Sequence, residues 1–130
     1  MQGNQGDDVL IGGSGFDTLT GGFGSDTFRF SSTVQAGIGV LEEVERITDF
    51  DLGDDIIDLS LIDANATLSG SQDFTFRGNT GIDGLGQVAT TILSNGDVLI
   101  TVNTSGDTTA EMMILLTNPI GTVTASDFIL

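Results

Sequence analysis

The chain has 130 residues, with 19 acidic side chains against three arginines, no lysine and no histidine, for a formal charge of −16. So negative a surface excludes nucleic acid and anionic membranes as partners, because nothing is available to neutralise phosphate. Self-repulsion also opposes a compact state unless something cationic joins it.

Without His or Cys the chain can build no Ser-His-Asp or Cys-His nucleophile, no ordinary zinc site and no disulfide. A non-catalytic module is therefore expected. Apolar residues make up 38% of the sequence, enough for one domain with a core. The start, Met1-Gln2-Gly3-Asn4, has neither a basic region nor an apolar run, so no amino-terminal signal peptide is expected. No stretch approaches the length of a membrane-spanning helix, and no membrane insertion is expected.

From Gly3 the sequence repeats every nine residues. The units GNQGDDVLI, GGSGFDTLT and GGFGSDTFR place Asp8, Asp17 and Asp26 at the sixth position and Leu10, Leu19 and Phe28 at the eighth. A flexible linker needs neither register nor a recurring apolar residue, whereas a solenoid needs both. Glycine tolerates positive φ, so a tight loop can turn its carbonyl oxygens inward, and Asn4 is the mildest replacement for it. Inward carbonyls plus one carboxylate per loop make a cage of hard oxygens, which suits Ca²⁺ better than Mg²⁺. The three residues after each aspartate predict a short strand whose middle side chain enters the core.

These units resemble the G-G-x-G-x-D-x-U-x nonapeptide of RTX proteins. The resemblance implies a parallel β-roll in which each unit is half a turn, so that loops two units apart stack and share a calcium ion. Carried over, one complete site takes Asn4, Gly6 and Asp8 from the lower loop and Gly21, Phe23 and Asp26 from the upper. Unit two supplies Gly13, Gly15 and Asp17 as a half-site. Its upper partner would begin at Phe30, where FSSTVQ no longer fits the repeat.

The stretch EVERITDFDLGDDIIDLS, residues 43–60, is the next informative one. Counted from Asp49, an EF-hand would need a ligand where Gly53 stands, glycine where Asp54 stands and Glu where Ser60 stands, so that reading fails. The stretch instead resembles the D-x-I-x-D-F…G-x-D-x-I-D-L-S segment of serralysin-type carboxy-terminal domains, with Glu45 in place of the usual Asp and with Asp49 and Asp55 matching. Ile47, Phe50, Ile56, Ile57 and Leu59 would be its core residues. Either Glu45 or Asp49 closes the Asp17 half-site, or both are ordinary solvated acids.

Beyond it, ATTILSNGDVLITVN carries two β-rich runs around Asn95-Gly96, a strong hairpin signal. A further turn at Ser105-Gly106-Asp107 leads to the apolar run Met112-Met113-Ile114-Leu115-Leu116. This half is expected to be antiparallel and to cap the open end of the solenoid. The expected architecture is therefore all-β: RTX roll repeats over residues 1–30 and a β capping region over 31–130.

At the end, Asp127, Phe128, Ile129 and Leu130 read as a last strand. An acid followed by a short apolar run also resembles the uncleaved signal of type I secretion substrates. The resemblance thus implies a calcium-binding tail of a larger, secreted, extracellular bacterial protein, with calcium ions and the type I machinery as partners and a monomeric state. A polysaccharide-binding role, as in the R-modules of alginate epimerases, is the alternative. Polyuronate is anionic, and a chain with only Arg29, Arg46 and Arg77 would repel it.

Overall fold

The computed structural model describes residues 1–33, 44–65 and 67–130. Glu43, which opens the acidic stretch noted above, lies outside the described residues. Strands are the main regular elements among the described residues, and the helical elements among them are two short 3-10 turns, Gly78–Thr80 and Ala125–Asp127.

The repeat units make four strands, β1 (Gln2–Gln5), β2 (Val9–Ile11), β3 (Thr18–Phe23) and β4 (Thr27–Arg29). Successive strands alternate between two sheets, so β1 pairs in parallel with β3, and β2 with β4. Side chains alternate along each strand. Leu10, Leu19 and Phe28 therefore enter the space between the sheets, at 2%, 0% and 0% exposure, while Val9 and Ile11 stay exposed.

Parallel stacking continues past residue 30. The next strands, β5 (Glu45–Ile47) and β6 (Ile56–Asp58), join in register, with Leu19 opposite Ile47 and Phe28 opposite Ile57. That register sets Asp17 level with Glu45, and Asp26 level with Asp55. Arg29 and Asp58 also fall side by side and form an ion pair of 2.7 Å. Burial opposes the charge on Asp58, but the Ser60 hydroxyl and amide and the Arg29 guanidinium outweigh it and hold the carboxyl below its usual range.

The remaining strands are β7 (Thr75–Phe76), β8 (Gln87–Ile92), β9 (Val98–Asn103), β10 (Met112–Leu116) and β11 (Phe128–Ile129). The strands β8, β9 and β10 form an antiparallel meander, and its first turn holds Asn95-Gly96 with Gly96 at φ 93°. Asp97 ties that turn down by accepting hydrogen bonds from the Asn95 side chain and the Asn118 amide. The next turn is folded by Glu111, which accepts from the Thr104 and Ser105 amides. The meander continues the roll's own sheet, because β10 pairs in parallel with β5. One sheet thus runs β1-β3-β5-β10-β9-β8-β7 and the other β11-β6-β4-β2.

The final strand β11 lies parallel to β6 and sets Phe128 opposite Ile57. Asp127, 3% exposed, closes a capping box with Thr124 and accepts from the Gly53 amide at 3.3 Å. The core fills the gap between the sheets. Phe28 meets Phe50 at 5.9 Å between ring centroids, and Phe76 meets Phe128 at 5.3 Å.

Candidate metal centres

Each repeat loop folds back on itself through residues with positive φ. Gly22, at φ 111°, has no alternative, because a Cβ there would run into the carbonyl oxygen of Asn4 on the loop below. Asn4 adopts φ 84°, as the most tolerant non-glycine type can. The loops of units one and three consequently stack. The Gly6 amide donates to the Phe23 carbonyl at 2.8 Å, and the Ser25 amide donates to Asp7 Oδ1 at 2.9 Å.

Asp8 and Asp26 meet in this stack. The Asp8 amide donates to Asp26 Oδ1 at 2.9 Å, while Asp8 Oδ2 and Asp26 Oδ2 are both buried without a hydrogen-bond partner. Glycine makes the room. A Cβ on Gly3 would stand 2.5 Å from the Gly21 carbonyl oxygen and 2.6 Å from Asp8 Oδ2, and one on Gly21 would strike Asp26 Oδ2. Gly21 O and Asp8 Oδ2 therefore share the space beside Gly3, and Asp26 Oδ2 fills the one beside Gly21. The Asn4 and Gly6 carbonyl oxygens lie against Gly22 and Gly24 of the loop above. Phe23 offers only its backbone, since its ring is 77% exposed.

A second pair forms on the opposite edge. The Asp17 amide donates to Glu45 Oε2 at 3.0 Å, and Asp17 Oδ2 and Glu45 Oε1 are again buried and unpartnered. Burial pushes the Glu45 carboxyl up to about 7, the Asp17 amide opposes this, and the Asp17 charge adds to it. Gly13 lies near this pair, its Cβ position 4.0 Å from Asp17 Oδ2, while nothing stands within 4 Å of that position on Gly15. Of the two acids considered for closing the half-site, Glu45 lies against Asp17. Asp49 sits elsewhere, its two oxygens accepting from the Gly21 and Gly22 amides at 2.8 Å each.

Asp55 completes the column of Asp8 and Asp26 in a different way. Its Oδ1 accepts from the Asp26 amide at 2.8 Å and its Oδ2 from the Asp51 amide at 2.9 Å, so both oxygens are engaged. Burial still raises its carboxyl above the usual range. Its match to the serralysin-type segment was readable in the sequence. That its carboxylate would be used up by backbone amides was not.

Among the described residues no three acidic, His or Cys side chains cluster as a ligand set. Each candidate centre is instead a pair of carboxylates, and the first has the Gly21 carbonyl oxygen beside Asp8. Such a donor set fits a hard cation that takes about six to eight oxygens in flexible geometry. A buried polar atom left unpaired costs about 1–3 kcal/mol, and four such oxygens in two like-charged pairs fit a divalent cation at each.

Stacked parallel half-turns with glycine loops and paired carboxylates define a β-roll. The chain belongs to the peptidase M10 serralysin C-terminal family, whose model matches residues 3–130. The family is one of non-catalytic C-terminal modules of the RTX type, and rolls of this type generally bind calcium. Among solved structures the chain is similar to the solution structure of the AlgE6R3 subunit from the Azotobacter vinelandii mannuronan C5-epimerase, at 24% identity and a TM-score of 0.59. The match covers 98% of this chain but 65% of that one, and at that identity it speaks for the fold alone. No curated protein matches the sequence significantly. No helix among the described residues is long and apolar enough to cross a membrane.

Proposed function

We propose that this chain is a calcium-binding module whose roll is completed by Ca²⁺ at two centres, and that it is the tail of a larger exported protein. The observation that carries this reading is the set of four buried, unpartnered carboxylate oxygens on Asp8, Asp26, Asp17 and Glu45. Asp8 and Asp26, with carbonyls of Asn4, Gly6, Gly21 and Phe23, would hold one ion. Asp17 and Glu45, with carbonyls of Gly13 and Gly15, would hold the second. The bound ion supplies positive charge that offsets two facing carboxylates and gives the orphaned oxygens a partner.

Calorimetry should find two calcium ions per chain, with affinities of about 10⁻⁴–10⁻³ M as in other extracellular modules. Asp8→Asn should remove one ion and leave the other. A parent chain that takes up no calcium at millimolar concentration would overturn the assignment.

Weak sites of this kind stay empty in the cytosol and fill outside, so that folding follows export. Type I export is the route associated with this family, and Asp127, Phe128, Ile129 and Leu130 are the residues that would address it. Fused to a slow-folding passenger in a host with a serralysin-type exporter, the chain should carry that passenger into the medium. Deleting residues 127–130 should abolish release. Undiminished release would leave those residues with only their role in β11.

Polysaccharide binding is the second reading, favoured by the likeness to a subunit of a mannuronan epimerase. Against it stand the charge of −16 and the engagement of Arg29 by Asp58 and of Arg77 by Asp83. An alginate pull-down at fixed calcium separates the two readings.

A further inference from the structure

Asp49 grips two consecutive amides, those of Gly21 and Gly22, with one carboxylate oxygen on each at 2.8 Å. Successive N–H groups that converge on an anion in this way form a nest. The Gly22 N–H and the Gly21 C=O belong to the same peptide group, and in a trans peptide they point in opposite directions. An acceptor that fixes the N–H therefore fixes the direction of the carbonyl. Here the Gly21 oxygen is turned toward Gly3, where it shares with Asp8 Oδ2 the space that a side chain would fill. A carboxylate on the N–H also polarises the peptide and makes its carbonyl a stronger donor.

We propose that Asp49 is a positioning residue: it holds the peptide between Gly21 and Gly22 so that the Gly21 carbonyl faces Asp8 and Asp26 and completes the first calcium centre. The proposal rests on the calcium reading above. It gives Asp49 a task for which the carboxylate is needed on both oxygens, since an amide in its place would turn an NH2 group, which cannot accept, toward one of the two N–H groups. It also makes the first centre dependent on the third coil, because Asp49 lies just beyond β5.

The test is calcium calorimetry on the full chain in two backgrounds, Asp17→Asn, which leaves the first centre, and Asp8→Asn, which leaves the second. Adding Asp49→Asn should weaken binding about 10- to 100-fold in the first background, as loss of an outer-shell partner does, and leave the second unchanged. Thr48→Val removes a neighbouring coil-to-coil hydrogen bond, Thr20 Oγ1 to Thr48 Oγ1 at 2.7 Å. It should lower the melting temperature without changing calcium affinity. Unchanged affinity in the Asp17→Asn background, or equal weakening in both, would overturn the proposal. If the two backgrounds bind no calcium at all, the calcium reading itself falls and this proposal with it. Should Asp49→Asn prevent folding, hydrogen exchange on the calcium-loaded parent decides. The exposed Gly22 amide should exchange slowly because Asp49 holds it, and exchange at the rate of a free loop would refute the role.

Discussion

Adding calcium to the chain held in EDTA should convert a partly folded protein into the complete roll, cooperatively and reversibly. The four unpartnered carboxylate oxygens at about 1–3 kcal/mol each amount to about 4–12 kcal/mol. That is as large as the whole stability of an ordinary domain, about 5–15 kcal/mol. Repulsion between Asp8 and Asp26, and between Asp17 and Glu45, works in the same direction. Each repeat unit offsets this with little, because it buries one large side chain: Leu10, Leu19 or Phe28.

The other end of the molecule is built differently. Val88, Ile100, Val102, Met112, Ile114 and Leu116 are buried on the meander and need no ion. Without calcium, amides of β1 to β4 should therefore exchange rapidly while those of β8 to β10 remain protected. Circular dichroism should show partial loss of strand signal in EDTA and its recovery on titration. An identical spectrum and melting temperature with and without calcium would defeat this expectation.

Phe28→Ala should cost about 3–5 kcal/mol, the usual penalty for truncating a buried aromatic, and this is enough to unfold a marginal domain. Phe28 is fully buried, lies between Leu10 and Ile57 in the ladder, and packs on Phe50. Its removal opens a cavity at the centre of three coils. Phe23→Ala, five residues earlier on a ring that is 77% exposed, should change stability by less than about 0.5 kcal/mol. Urea unfolding of both variants in saturating calcium makes the comparison. Similar losses would mean that the column of apolar residues does not support the roll.

The period of nine carries most of what is local. Asp8, Asp17 and Asp26, the loops that need Gly or Asn, and the inward Leu10, Leu19 and Phe28 all follow from repetition, because each nonapeptide meets the same steric demands. The hairpin at Asn95-Gly96 was readable for a similar reason, since Gly96 takes the positive φ that its turn needs.

Which acids face one another across the break in the repeat was settled by tertiary structure. Glu45 reaches Asp17 across 28 residues of sequence, and nothing in the spacing distinguishes it from Asp49. The choice comes from register. Burying Ile47 beside Leu19 places Glu45 level with Asp17, and a slip of one residue would turn every side chain of β5 to the wrong face. The same register carries Asp49 past the carboxylate pairs to the amides of Gly21 and Gly22, and leaves Asp55 with both oxygens engaged. The parallel pairing of β10 with β5, and of β11 with β6, is likewise long-range. Burial of apolar faces that local spacing does not encode decides which strands close the roll.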